Sequence, residues 1–455
     1  MTAAHSAINT IWPVVVETRE RRRSAYRICR ALLFCALLSI VTLPEFPRQG
    51  AETQSAIYSK LAAGFRYIDV ILLLLAMSHI VAVFCLRDKR LRFPRALVAP
   101  GLAFLACIAV AIAYGARHGG ANFFFDWRGL ALGTGLYVVW SCWLPHPDDV
   151  AEVLQLFLSY MGVRLVLLFV FYLSGEQDNL AGVSIPIFDG PVLSSTVFTG
   201  LLAFQFYANA ASPRRKLLWA ILGIGACLLV VICLRRTYWG ELAIGTGVLL
   251  LLGGRNRMRG LLLTAVAIAI AAGVLGSSFS GRMLSLDITR NDTEFSADNA
   301  DHVFDLIDAW SQVRQSPVMG IGLGTAYPTL RIRNWKPDSV MVHNAPLHVW
   351  LKYGIAGLVC YVWFHLALLT WLFRRWKQAV PQQRAFLSAA FAYLTAQFLM
   401  TLGFAPWPYS ELQMTTLISF IVAAAVAAEP LPSKLCYEPA FSLRHNAELQ
   451  QRRVC

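Results

Sequence analysis

Charged residues are scarce in this chain. Of its 455 residues, 57% are hydrophobic and only 15% are Asp, Glu, Lys or Arg, and the mean hydropathy is +0.55. A soluble protein of this length needs far more polar surface, so the composition excludes a soluble enzyme and indicates an integral membrane protein. Because a bundle of membrane helices is one cooperative unit, we expect residues 1–455 to form a single polytopic membrane domain.

The chain also lacks the cysteine spacings that bind metals or build disulfide frameworks. None of its ten cysteines belongs to a CxxC pair. Most of them lie inside apolar runs, among them Cys35, Cys107, Cys227, Cys233 and Cys360. We interpret them as small buried hydrophobic side chains. The basic N-terminal stretch has no small-residue cleavage site after the first apolar run, so we expect no cleavable signal sequence.

What the chain has in abundance is apolar runs of about 20 residues, the length that crosses a bilayer as a helix. Twelve such runs predict an all-α membrane fold with about twelve transmembrane helices. Their predicted bounds are 28–45, 66–86, 97–115, 124–144, 150–174, 192–210, 217–234, 237–253, 260–277, 346–372, 385–404 and 410–428.

The basic residues predict how these helices are oriented. They cluster before the first run and in alternate connections, at residues 19–30, 87–95, 214–216, 255–259, 374–377 and 444–453. Twelve crossings with a cytoplasmic N-terminus place every cluster on the inner side, which is the known bias of membrane proteins. We therefore expect both termini in the cytoplasm, and we attribute the net charge of +14 to these loops instead of to nucleic-acid binding.

Residues 278–345 form the one large loop, and the same count places it outside the membrane. The loop is too long for an ordinary connector. Apolar residues from Val303 to Val313 recur in it at helical spacing, with Asp305 and Asp308 interspersed. This pattern predicts an amphipathic helix that lies along the top of the bundle, and packing against the bundle accounts for most of its apolar positions.

A glycine cluster follows the predicted loop helix. The sequence GIGLG at residues 320–324 lacks the GxGxxG spacing and the preceding strand of a dinucleotide-binding fold. We interpret it as a tight turn whose backbone can approach a ligand closely.

Two arginines break the charge pattern. Arg235 and Arg236 fall at the outer tip of the short turn between the seventh and eighth runs. They either cap the negative end of the preceding helix or, with the N-terminus of the next helix, form an anion site for phosphate. Arg128, near the outer end of the fourth run, either pairs with Asp126 or joins such a site.

His343 and Asn344 precede Pro346, a residue that fits the first turn of the tenth helix. An unperturbed histidine has a pKa of about 6.5, so His343 is mostly neutral near pH 7 and can accept a proton. Asn344 either caps the helix or contacts a substrate.

Three further polar residues lie inside the predicted spans. Arg164 lies deep in the fifth, where a charge costs roughly 2.5–3.5 kcal/mol on insertion scales, so it must face a partner or a wet cavity. His79 and His365 are interpreted as hydrogen-bonded packing residues.

Several segments, taken together, resemble the O-antigen ligase family of membrane glycosyltransferases. RQSPVMGIGLGTAY and HNAPLHVWLKYGIAGL, followed by a hydrophobic helix, carry the resemblance. CLRRTYWGELAIGTG is similar to the arginine-containing helix that precedes the family's large loop, and GPVLSSTVFTGLLAF resembles, more loosely, the helix before it. The order and spacing of these segments extend the resemblance over residues 190–370.

The resemblance implies a reaction and its place. A glycan on a polyprenyl pyrophosphate, of the undecaprenyl type, is the donor, and a hydroxyl on a glycan, lipid or protein is the acceptor. Transfer takes place on the periplasmic side of the bacterial inner membrane, in lipopolysaccharide or other polysaccharide biosynthesis. It implies no cofactor, no metal and no nucleic-acid partner.

The resemblance also implies roles for residues. Arg235, Arg236 and Arg128 are expected to bind the pyrophosphate, His343 to deprotonate the acceptor hydroxyl, and Asn344 to contact the acceptor or order the loop. Where the family commonly has an arginine shortly before the loop helix, this chain has His302. A protonated histidine can also bind phosphate, so His302 is expected to be a divergent contact.

The residues leave other functions open. An O-antigen or exopolysaccharide polymerase shares the donor chemistry and differs in the acceptor, and the sequence does not separate it from a ligase. A transporter or flippase is less favoured because the two halves show no internal repeat and the charges gather at one face. A structural scaffold would leave the outward arginine pair without a use.

Overall fold

The structure is a computed structural model that describes residues 93–118, 147–173, 178–180, 183–185, 190–210, 212–233, 236–252, 295–328, 338–339, 344–402 and 412–427, with residue 342 and isolated positions among 133–141. Its helices are α1 (Arg95–Arg117), α2 (Pro147–Leu173), α3 (Gly190–Asn209), α4 (Pro213–Ile232), α5 (Arg236–Leu252), α6 (Phe295–Gln315), α7 (Ala345–Gln378), α8 (Pro381–Thr401) and α9 (Leu412–Ala427).

Two short antiparallel strand pairs lie in the connections. In the first, β1 (Asp178–Leu180) pairs with β2 (Val183–Ile185). In the second, β3 (Tyr327–Pro328) pairs with β4 (Asp338–Ser339) inside the large loop. They are too small to change the class, and the described part of the chain is predominantly helical, as predicted.

The predicted apolar runs can be compared with these helices one by one. The third and the fifth to eighth runs coincide with α1 to α5, and the tenth to twelfth with α7 to α9. The runs 28–45, 66–86 and 260–277 lie outside the described residues, and 124–144 is described only at isolated positions. The number of twelve spans therefore stays a prediction.

Four described helices are long and apolar enough to cross a membrane. They are Arg95–Arg117, Val153–Val170 within α2, Pro213–Ile232 and Ala345–Gln378. Shorter apolar helices cover Thr237–Leu252 and Leu417–Ala427. These helices confirm the expected membrane character of the chain.

The centre of the bundle is α3. Every residue from Leu193 to Phe204 is buried, and the helix packs against α2, α4, α5, α8 and α9. A helix that is apolar and buried on all sides belongs to the interior of a large bundle. On the periphery, α1 packs against α7, and α6 of the large loop also packs against α7.

The outer face of α7 is apolar. Ile355, Val359, Trp363 and Leu366 are exposed and recur at three- and four-residue spacing, so they form one stripe along the helix. An exposed apolar stripe of this length is unfavourable in water and favourable against lipid. The stripe therefore marks the membrane-facing side of α7.

One glycine interrupts α7. Gly354 has φ 71° and ψ −176°, a backbone conformation that only glycine adopts without strain. In an unbroken helix the amide of Ile355 would bond to the carbonyl of Leu351. Instead Ile355 N donates to Pro317 O at 3.1 Å, and Leu351 O accepts from Ile321 N at 2.7 Å. The backbone of the large loop thus supplies hydrogen-bond partners for the two groups of α7 that the break leaves without their helical bond.

Candidate functional site

The start of α5 is held by three consecutive residues. Trp239 Nε1 donates to the carbonyls of Val230 and Val231, at 3.1 and 3.2 Å, and so satisfies acceptors in the last turn of α4. Gly240 lies directly against the side chain of Met400 on α8. Its lack of a side chain permits this approach.

The third of these residues, Glu241, belongs to a buried polar network with α3 and α8. Its carboxylate accepts from the Ser194 hydroxyl at 3.1 Å, and Tyr393 OH lies 2.7 Å from the same hydroxyl. Because a hydroxyl carries one proton, Ser194 donates to Glu241 while Tyr393 donates to Ser194. Gln397 Oε1, 3.4 Å from Ser194 Oγ, is the more distant alternative acceptor.

The start of α7 is fixed by Asn344. Its side-chain oxygen accepts from Leu347 N at 2.9 Å, the geometry of an N-cap, and Pro346 occupies the first turn as predicted. Its amide nitrogen donates to Leu402 O at the end of α8, 3.1 Å away. The capping role is therefore observed, and a contact with an acceptor stays a prediction.

The end of α8 brings these two helix starts together. Met400 contacts Gly240 of α5, and two residues later Leu402 binds Asn344 of α7. In the sequence, Arg235 directly precedes α5 and Arg236 is its first residue, and His343 directly precedes Asn344, the cap of α7. Both starts therefore lie at the same end of the bundle.

The glycine cluster is a tight turn, as predicted, and its backbone is hydrogen-bonded to helices α1 and α7. Gly320, Gly322 and Gly324 have φ values of 69°, 83° and 78°, which favour glycine. Ile321 N bonds to α7 as described above, and Leu323 N donates to Ala111 O of α1 at 3.0 Å. These two amides anchor the loop between α1 and α7.

The loop helix α6 presents a different face to the bundle from the one that its apolar spacing suggests. Asp305 is 0% exposed and Asp308 is 4% exposed, whereas Ile307 and Trp310 are 51% and 40% exposed. Val313 is buried as expected. Both acidic side chains are thus buried, and Asp305 has a polar partner there in the Tyr327 hydroxyl, which apolar periodicity does not report.

The loop segment after the glycines is held from two sides. Tyr327 OH donates to Asp305 Oδ1 of α6 at 3.0 Å. From α7, the fully buried Lys352 donates from Nζ to Thr325 O at 2.5 Å. An anion on α6 and a cation on α7 therefore fix positions only two residues apart. These two hydrogen bonds fix the position of the loop relative to α6 and α7.

Aromatic residues join α6 to α7 on the outside. Trp310 and Trp350 make an edge-to-face pair with centroids 5.4 Å apart. Trp350 Nε1 also donates to Pro317 O at 2.9 Å, and the Arg314 guanidinium lies 5.6 Å from the Trp310 ring centroid. Tryptophans of this kind are typical of the membrane–water interface.

Several predicted site residues lie outside the part that the structure describes. Arg128, Arg235 and His343 are among the undescribed residues. Arg236 is described only as the first residue of α5, and His302 only as part of the backbone of α6. Their roles stay predictions.

The intramembrane residues can be compared with their interpretations. Arg164 is buried within the bundle. His365 is a packing residue as interpreted, because its Nδ1 donates to Tyr361 O at 2.9 Å and its ring stacks on Phe398 with centroids 5.0 Å apart. His79 lies outside the described residues. The described cysteines carry free thiols, as expected.

Two buried ionisable residues were missed at the level of sequence, Glu241 and Lys352. Each stands inside an apolar run, in the predicted spans 237–253 and 346–372. An ionisable side chain within a predicted span is itself a sign of function or of a specific partner. That signal was present and would have identified both residues.

The helices and the large loop, in the part of the chain that the structure describes, form a helical bundle of membrane type with polar groups gathered beneath that loop. Residues 220–362 match the family model described as O-antigen ligase. The match covers less than half of the chain and confirms the resemblance that the motifs indicated. It runs from α4 into α7, so it includes Arg235, Arg236, His302, His343 and Asn344 but not Arg128. No curated protein matches the chain.

The match suggests a coarse functional class. It indicates a membrane enzyme of the ligase and polymerase type that transfers glycans, with a lipid-linked glycan as substrate. The apolar helices agree with the membrane context.

Proposed function

We propose that this protein is a ligase that transfers a glycan from a polyprenyl pyrophosphate to an acceptor hydroxyl on the periplasmic side of the inner membrane. One observation carries the proposal. The end of α8 contacts both the start of α5, next to the arginine pair, and the start of α7, next to His343. Groups for the donor and for the acceptor therefore belong to one end of the bundle.

The arginine pair suits the donor. When the glycan leaves its carrier, negative charge develops on the pyrophosphate, and fixed cations stabilise that charge. Arg235 and Arg236 stand at the N-terminus of α5, whose dipole adds positive potential. Hydrogen bonds to charged groups are worth roughly 1.5–3 kcal/mol each. Arg128 and His302 are the further candidates for this contact.

His343 suits the acceptor. In the proposed step the acceptor oxygen attacks the anomeric carbon of the donor sugar and forms the new glycosidic bond. The bond from that carbon to the phosphate oxygen breaks, its electron pair leaves with the lipid pyrophosphate, and the acceptor proton passes to His343. The Asn344 cap fixes the backbone at the residue that follows His343 in the sequence.

The loop suits a reaction that must exclude water. The glycine turn is bonded to α1 and α7, and Asp305 and Lys352 hold the segment that follows it. A fixed cover of this kind keeps water from competing with the acceptor hydroxyl.

The test replaces His343 and Arg235 by alanine and compares surface glycan at matched membrane levels. We expect His343→Ala to lose attached glycan by at least about 100-fold, the usual contribution of a general base. Arg235→Ala should lose roughly 10- to 150-fold, because one charged hydrogen bond to the pyrophosphate is removed. His118→Ala and Arg215→Ala, which change exposed residues, are the matched controls and should retain it. Full attachment in both test variants would refute the proposal.

The form of the missing glycan separates the two enzyme types. Loss of a ligase leaves long unattached chains, whereas loss of a polymerase leaves single attached units. The second pattern would assign the protein to the polymerases, with the same donor chemistry.

A further inference from the structure

Glu241 is an unexpected residue for its position. It is 1% exposed, in the apolar helix α5, and transfer of a carboxylate into such surroundings is unfavourable without compensation. It lies five residues after Arg236, beyond the first turn, where the effect of the helix dipole has fallen off. An apolar side chain would serve the packing of α5 better. The carboxylate therefore indicates a need other than stability.

The contacts around Glu241 suggest what that need is. Trp239, Gly240 and Glu241 are consecutive, and each meets a different helix: Trp239 bonds to α4, Gly240 packs on α8, and Glu241 bonds to Ser194 of α3. Contacts in three directions within one turn fix both the rotation of a helix and its height in the bundle. In the sequence, these three residues follow the arginine pair by three to six positions.

We propose that Glu241 is a positioning residue, which through Ser194 and Tyr393 fixes the start of α5 and thereby aims Arg235 and Arg236 at the donor pyrophosphate. This inference rests on the proposed function, because it assumes that the two arginines bind that group. Glu241 itself does not touch the donor in this proposal. Its carboxylate is occupied by the Ser194 hydroxyl, which Tyr393 orients in turn.

The proposal predicts a specific order among variants at one position. Glu241→Gln keeps an oxygen that can accept from Ser194, so the start of α5 stays in place. Glu241→Leu has similar bulk without an acceptor, so the turn loses its bond to α3. Trp239→Phe keeps the ring but removes the Nε1 donor to α4, and should act in the same direction as Glu241→Leu.

The experiment measures binding of farnesyl pyrophosphate to the purified full-length protein in nanodiscs, with farnesol as the uncharged control ligand. We expect Glu241→Leu and Trp239→Phe to weaken farnesyl pyrophosphate binding by about tenfold, which corresponds to about 1.4 kcal/mol. Glu241→Gln should stay within about threefold of the parent protein. Farnesol binding should not change in any variant, because it reports only on the apolar part of the site.

The matched control is Thr246→Val, which removes another buried polar group from the same helix. It should leave farnesyl pyrophosphate affinity unchanged. Equal losses of affinity in Thr246→Val and Glu241→Leu would mean that any damage to α5 has this effect, and would overturn the positioning role. Parent-like affinity in Glu241→Leu would overturn it as well.

The arginines distinguish failure of this inference from failure of the proposed function. If Arg235→Gln and Arg236→Gln bind farnesyl pyrophosphate as the parent does, the phosphate site is wrong and the inference falls with it. If both arginine variants bind weakly while Glu241→Leu binds normally, the phosphate site stands and only the inference is wrong.

Discussion

Replacing Gly354 by alanine should disfavour the backbone conformation that interrupts α7. The large loop makes its hydrogen bonds to α7 at this interruption. Gly354 has φ 71°, and a side chain there would run into the carbonyl of Val318. The alanine variant can keep the break only at the cost of backbone strain, which is about 1–3 kcal/mol for such a residue. Alternatively, α7 straightens and expels the loop.

The magnitude follows from a comparison of the closed and the open loop. Opening loses Ile355 N to Pro317 O and Ile321 N to Leu351 O, and regains one helical bond from Ile355 to Leu351, but it does so in the parent protein as well. The alanine therefore changes the opening equilibrium through the strain of the closed form. We expect the closed loop to be destabilised by about 1–3 kcal/mol, which is a factor of roughly 5 to 150 in its opening constant.

Hydrogen exchange measures that opening directly. In Gly354→Ala, the amide of Ile321 should exchange faster by the factor above, while the amide of Leu323, which bonds to α1, should be less affected. Gly247→Ala is the control, because a side chain at Gly247 meets nothing within 4 Å. If the amides of the segment 317–323 exchange equally slowly in both variants, the backbone bonds between the loop and the break in α7 are not what stabilises the closed loop.

Three further predictions concern the same end of the bundle. Lys352→Met keeps the length of the side chain but removes the donor to Thr325, so we expect a loss of about 1–3 kcal/mol in stability, seen as a lower melting temperature; parent-like melting would contradict it. If His302 contacts the donor as a cation, farnesyl pyrophosphate affinity should fall from pH 6 to pH 8, because a histidine with the ordinary pKa of about 6.5 loses its charge in that range. His302→Arg should remove this dependence, and an equal dependence in that variant would exclude the role. Cysteines introduced at Arg235 and His343 should both react with an impermeant maleimide from the periplasmic side, and labelling from opposite sides would rule out a shared site.

Hydropathy located the helices because burial in lipid requires long apolar runs, whatever their neighbours are. The run predicted at 217–234 became Pro213–Ile232, and the run at 346–372 became Ala345–Gln378. The polar turn residues that end these helices are also local signals. Such features depend on the chain within one or two turns, so a single sequence carries them.

The features that the sequence did not reveal depend on contacts between distant segments. The break at Gly354 requires Pro317 and Ile321 to supply the missing hydrogen bonds. The sequence around Gly354 contains no pattern that predicts this arrangement. The inward face of α6 depends on Tyr327, whose hydroxyl makes burial of Asp305 acceptable. Apolar periodicity assigns the inner face by hydrophobicity alone, and so it gives no sign that Ile307 and Trp310 are among the exposed positions.

The candidate site shows the same division between local features, which the sequence predicts, and long-range contacts, which it does not. The order of motifs indicated which helix starts matter, and Asn344 was recognised as a possible cap. Glu241 stands in a predicted span, but the sequence around it does not identify the groups that its carboxylate binds. Ser194, which donates to Glu241, and Tyr393, which bonds to Ser194, lie 47 and 152 positions away from Glu241 along the chain.

In the proposed reaction, the last turn of α8 would act as a spacer between donor and acceptor. Since Met400 abuts one helix start and Leu402 is tied to the other, a short piece of backbone sets the distance between those two helix starts. Small changes there would widen or narrow that distance while every proposed reacting side chain stays intact, which gives evolution a simple way to accommodate sugars of different size.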